Sequence, residues 1–150
     1  MSEETTFEID PTPERRPVLP GGKYGADGEA TLERLHPGTI KYGKFAGDAC
    51  INMQVSVLTA EHGFVRMFRD WPLSGQAKNL TLRMLSQLGI DANATRDPAT
   101  GKARVDTSIV EGQKVIVELS FREYDMKGSD GEATGERASA NDIRTVWLRK

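Results

Sequence analysis

His36 and His62, Cys50, and the turn Ala99-Thr100-Gly101-Lys102 are the first places to look for chemistry in this chain. Each falls short of a motif. The histidines occupy turn-like sequence with no acid or cysteine at metal-ligand spacing, so no zinc site is expected. Cys50 is the sole cysteine, which excludes an internal disulfide and fits a reducing cytosol. In the Gly-Lys turn, Arg96 and Asp97 fill the region where a phosphate loop carries its first glycine, and Ala103 stands where Ser or Thr belongs. A plain surface turn accounts for it. No Ser-His-Asp set is suggested by local spacing, although such sets are assembled from distant residues. The expectation is a protein that is not an enzyme and uses neither cofactor nor metal.

A second kind of chemistry needs no catalytic group. Rings that stack on bases and cations that hold phosphates, combined on one flat face, suit single-stranded nucleic acid. If the aliphatic side of each strand described below is buried, then Asn52, Gln54, Arg66, Phe68, Arg122 and Tyr124 lie on the opposite side. Lys41, Tyr42, Lys44 and Phe45 bring the same mixture from a loop. The competing reading makes Phe68 and Tyr124 peripheral core and leaves the arginines solvated. Trp71 and Trp147 each follow an apolar-periodic run and are assigned to the core or its margin.

The element that must position this face is the stretch over residues 64–89. Val65 and Met67 alternate with Arg66 and Phe68, the period of a strand with one buried side. Pro72 lacks a backbone donor and turns Trp71 away from helical angles, so the strand should stop there. Ser74 then stands as a helix N-cap. Ala77, Leu80, Met84, Leu85 and Leu88 recur at helical spacing, and Gly89 follows as a left-handed cap.

Around it the chain reads as strands and turns. A first, glycine-interrupted strand is expected over residues 24–35, broken by His36-Pro37-Gly38 and followed by a basic aromatic loop over 39–47. Residues 49–59 form the clearest strand, with Ala49, Ile51, Met53, Val55 and Val57 on one side, and a tight turn over 60–63 leads into the next. Residues 91–106 are polar loop. Val115, Val117, Leu119 and Phe121 mark a fourth strand, residues 125–140 a long, mobile, glycine-rich and acidic hairpin loop, and residues 141–149 a closing fifth strand. The class is mainly β with one helix between strands three and four. That order is the order of an OB-fold, a partly open five-stranded barrel, and equally of a five-stranded sheet with a helix on one face.

Residues 1–22 hold four prolines and few core-type residues and are read as a disordered acidic tail without the apolar stretch of a secretory signal, leaving 23–150 as the folded domain. The formal net charge is −2. Residues 1–16 carry five acids against two bases, and residues 125–142 repeat that count, so what remains is mildly basic. No apolar run approaches the roughly 20 residues of a membrane span.

Four stretches then resemble a family of small phage and prophage proteins that look like OB-fold single-stranded-DNA-binding proteins of replication or recombination clusters. They are the corner Phe68-Arg69-Asp70-Trp71-Pro72-Leu73, the helix end Leu88-Gly89-Ile90, the strand entry over 111–118, and Phe121-Arg122-Glu123-Tyr124 ahead of a polar loop and a closing strand. The resemblance spans roughly residues 22–150. It implies a sequence-nonspecific single-stranded-DNA binder in a bacterial host cytoplasm, with replication or recombination proteins or further copies of itself as partners. Two departures stand out: the acidic tail is N-terminal while Arg144, Arg149 and Lys150 make the opposite end basic, and the overall charge is slightly negative, which implies modest and strongly salt-dependent affinity. The alternatives are an OB-like barrel that holds a protein partner and a small enzyme with a site built from distant residues.

Overall fold

The computed structural model describes residues 5–11, 17–41, 43–127 and 133–149. Six strands and one helix follow one another: β1 (Gly22–Tyr24), β2 (Ala30–Thr39), β3 (Ala49–Thr59), β4 (Gly63–Pro72), α1 (Lys78–Gln87), β5 (Val115–Lys127) and β6 (Ala133–Leu148). They form two antiparallel three-stranded sheets, ordered β2-β3-β4 and β1-β5-β6. Closure into a single five-stranded barrel is not observed among the described residues. Among the described residues, backbone pairing between the sheets is confined to one corner, where Thr31 bridges Lys114 and the Leu32 amide donates to the Gln113 carbonyl at 3.0 Å. On the far side the crossing is made by a side chain, with Arg69 donating to the carbonyls of Ile143 and Arg144.

The core forms where the alternation puts it. Ile51, Met53, Val55 and Val57 of β3 and Val65, Met67 and Trp71 of β4 face Val115, Val117 and Leu119 of β5 and Ile143 and Val146 of β6, all buried. The helix closes this core through Thr81, Met84 and Leu85, followed by Leu88 and Ile90. It begins later than the sequence suggests. Ser74 and Gly75 are spent in a turn, with Gly75 at a φ of 73°, and Ala77 is the N-cap with no side-chain hydrogen bond. The inward position falls to Thr81, whose hydroxyl donates to the Pro72 carbonyl at 2.5 Å, so Leu80 turns outward and is largely exposed. Gly89, at a φ of 79°, ends the helix as expected.

Three further expectations are corrected. β2 does not end at His36 but runs to Thr39, pairing Pro37 with Ile51. A proline fits because β2 is an edge strand, where no outer neighbour needs its missing N–H. The expected start of that strand is instead the separate β1, which pairs with β5. Of the stretch 125–140, residues 125–127 and 133–140 belong to a two-stranded ribbon, since β5 and β6 stay paired out to Lys127 and Ala133, while residues 128–132 lie outside the described residues. A ladder of backbone hydrogen bonds requires no apolar side chains, so composition gave no sign of it. Leu19 is buried, its N–H donating to Asn141 Oδ1 at 2.8 Å and its carbonyl accepting from Asn141 Nδ2 at 2.7 Å.

Between β1 and β2, Glu29 folds its carboxylate back onto the turn, accepting from the Gly25 amide at 2.6 Å and the Asp27 amide at 2.9 Å. The Gly25 bond, more than any other contact, holds this carboxyl below the ordinary glutamate value of 4.5. A lowered carboxyl pKa adds stability that is complete above the unfolded-state value and lost as pH falls through the folded one. Glu29→Gln is therefore expected to lower the melting temperature at pH 7 and to lose that effect in acid, as parallel thermal melts will show. An equal deficit at both pH values would refute the assignment.

Candidate functional site

The outward side of β2, β3 and β4 carries the residues of interest, and register places them in rows. Arg34 lies opposite Gln54 and Gln54 opposite Phe68; one step along, His36 lies opposite Asn52 and Asn52 opposite Asp70. A bulge between Leu32 and Arg34 lets Arg34 and His36 face outward while Leu32 and Leu35 stay in the core. Arg34, Lys41, Asn52, Gln54, Phe68 and Asp70 line an open groove. Its amides are held by carboxylates: Gln54 Nε2 donates to Glu33 Oε2 at 2.5 Å, and Asn52 Nδ2 donates to Asp70 Oδ1. Glu33 also meets Arg66 Nε at 3.4 Å.

Along β4 the same side shows Phe64, Arg66 and Phe68 at alternate positions, with the two rings 62% and 52% exposed. The expectation that Arg66 and Phe68 point away from a core holding Val65 and Met67 agrees with the observed burial. Phe64 belongs with them, although the sequence reading began this face at Arg66; its position two residues earlier was the available signal. Arg34, Glu33 and Asp70 were missed too, Arg34 and Glu33 because the bulge between Leu32 and Arg34 shifts parity there, whereas Asp70 carries the same parity as Arg66 and Phe68.

The remaining candidates are distributed. Phe45 is exposed, with Lys44 Nζ 5.6 Å from its ring centre, and it lies towards the helix start beside Pro72, Ala77 and Leu80. Tyr42 lies outside the described residues. Arg122 and Tyr124 are on the other sheet, where β5 leaves the core: the Arg122 guanidinium is 5.2 Å from the Tyr124 ring centre, and its Nε donates to Asp142 Oδ2 at 2.7 Å. The two arginine-aromatic pairs therefore occupy different sheets and not one continuous strand face.

Both tryptophans have structural positions. Trp71 is 2% exposed, donates its indole N–H to Met53 Sδ at 3.4 Å and carries the Arg69 guanidinium 3.8 Å above its ring. Burial lowers the Arg69 pKa and nearby Asp142 raises it; a guanidinium in this position stays charged. Trp147 is half-buried, with Lys23 Nζ 5.2 Å from its ring centre. Cys50 is buried beside Asn52, whose Nδ2 is 3.5 Å from its sulfur, and burial, then the Asp70 charge, push its thiol pKa up. Among the described residues, no three His, Cys, Asp or Glu side chains gather where they could hold a metal ion, and no helix is long and apolar enough to cross a membrane.

No protein-family model matches the chain, and no curated protein is significantly similar to it.

Proposed function

We propose that the chain is a non-catalytic single-stranded-DNA-binding protein that uses the outward side of β2, β3 and β4. The observation that carries this reading is the succession Phe64, Arg66, Phe68 on one exposed strand face, over about 13 Å of strand. Two rings flanking a guanidinium offer stacking to successive bases and charge to the phosphate between them. Arg34 and Lys41 extend the cationic side across the groove, and Lys44 with Phe45 continues it towards the helix. An OB-like architecture is part of the proposal: the β2–β5 corner and the Arg69 crossing from β4 to β6 are the two junctions such a partly open barrel requires. The resemblance to phage and prophage single-strand binders supports the same reading, with work in replication or recombination in a bacterial cytoplasm.

Fluorescence titration with labelled single-stranded and duplex DNA at two salt concentrations tests it. Single strands should bind more tightly, because a duplex hides the base faces that the rings need. Affinity should fall with salt, at a logarithmic slope of about −0.7 per phosphate contact. Equal affinity for both forms, or no binding at low salt, rejects the proposal. A second reading, a protein-docking surface, draws on Leu58, which is exposed directly opposite Phe64 and makes that end of the face apolar. It predicts binding that is indifferent to single strands and to salt.

A further inference from the structure

Residues 17–19 belong to no strand, yet their place is fixed. Leu19 is buried with both backbone groups held by Asn141, and the next carbonyl, that of Pro20, accepts from the Tyr24 hydroxyl at 2.6 Å. Asn141 Nδ2 also donates to the Ser120 carbonyl at 3.2 Å, which ties the clamp to β5. Pro17 stands two residues before Leu19, a reach of about 7 Å at most. The proline ring restricts its own backbone and has no rotamers to lose on contact. The clamp therefore positions Pro17.

What it is positioned against is the Phe64, Arg66, Phe68 side of β4. Pro17 shares an open hollow with Phe64, Val65, Arg66 and Phe68, and among the described residues lining that hollow it alone comes from outside β4. The hollow encloses about 270 Å³. Sites for drug-sized ligands begin near roughly 300 Å³, so there is room for one flat ring system and little more. Two aromatic rings and a proline ring supply apolar contact. Arg66 meets Glu33 through Nε at 3.4 Å, but its side chain is 60% exposed, which leaves further N–H donors for a phosphate. A base set down on a bare strand keeps one face in water. A wall beside the rings covers more of it and removes further apolar surface from solvent.

We infer that the hollow between Pro17 and β4 is a slot for one base of the single strand, with Asn141 positioning the Pro17 wall through Leu19. The inference rests on the single-strand reading of the face and extends the binding surface to a segment outside both sheets. The base lies between the Pro17 ring and the β4 rings, and its phosphate meets Arg66.

Oligo-dT and an abasic strand of equal length test this, since they carry the same phosphates and differ in whether there is a base to insert. Pro17→Gly should weaken oligo-dT binding about fivefold, the low end of what one stacked base contributes, and leave the abasic strand nearly unchanged. Asn141→Ala, which releases both Leu19 bonds, should give the same base-dependent loss. A variant that merely loosened the fold would weaken both strands alike. Circular dichroism establishes that the variants fold, and Pro17→Gly, at an exposed position, decides the matter if Asn141→Ala does not. Folded variants that bind oligo-dT as wild type does, or that lose equally on both strands, would overturn the slot and leave the single-strand proposal standing. Wild type that binds both strands equally would remove the slot and the stacking role of Phe64 and Phe68 together. If neither strand binds at low salt, the single-strand proposal falls and the slot with it.

Discussion

Replacing Trp71 with alanine costs about 3–5 kcal/mol of unfolding free energy, the usual range for removing a fully buried large aromatic side chain. That is a large share of the roughly 5–15 kcal/mol available to a domain of this kind. The residue sits at the end of β4, where its ring fills the core and supports the Arg69 guanidinium that reaches the β6 carbonyls. Truncation therefore opens a void and removes the platform beneath the side-chain crossing between the sheets. Arg69→Ala alone should cost about 1.5–3 kcal/mol through its charged hydrogen bonds. The double variant should lose less than the sum, because the two share one interaction. Urea unfolding followed by circular dichroism provides all three values. A Trp71→Ala variant within about 1 kcal/mol of wild type, well under the expected range, would mean that the ring does not hold this junction.

Replacing Phe64 and Phe68 together with alanine should abolish measurable single-strand binding at moderate salt while leaving the fold intact. Each ring lost from a stacking platform costs about 1–3 kcal/mol. Both are more than half exposed, so little core packing goes with them. Arg66→Ala should instead flatten the salt dependence by roughly one phosphate contact. Tyr124→Ala, on the other sheet, belongs in the same series: a loss matching that of Phe68→Ala would extend the contact surface onto the β5–β6 ribbon. If the Phe64 and Phe68 variant unfolds while its surviving folded fraction binds normally, the rings are core and binding lies elsewhere.

The parts of the fold legible in the sequence are those in which one side of an element is buried and the other wet. β3 and β4 read cleanly for that reason, and so does the end of the helix at Gly89. Legibility fails where the local rule is cancelled by position in the sheet. His36-Pro37-Gly38 looks like a break, but an edge strand tolerates a proline. Past Leu119 the strand leaves the core, Phe121 to Tyr124 are all exposed, and the alternation loses its meaning although pairing continues. The candidate site shows the same division. Arg66, Phe68 and Gln54 could be placed by parity alone, whereas Glu33 and Asp70 acquire their role only through side-chain bonds to residues on other strands. Arg69 occupies a core-facing position, and only the seam between sheets explains a cation there.

The reciprocal hydrogen bonds between Leu19 and Asn141 link residues 122 positions apart. During synthesis at roughly 5–20 residues per second, Asn141 is added about 6–25 s after Leu19. Until then the Leu19 side chain has no completed β6 to settle against, and its backbone groups remain with water. Contacts between such distant positions also carry a large loop-closure cost, which places this clamp late in the order of assembly. A segment made long before β6 is thus among the last to be fastened.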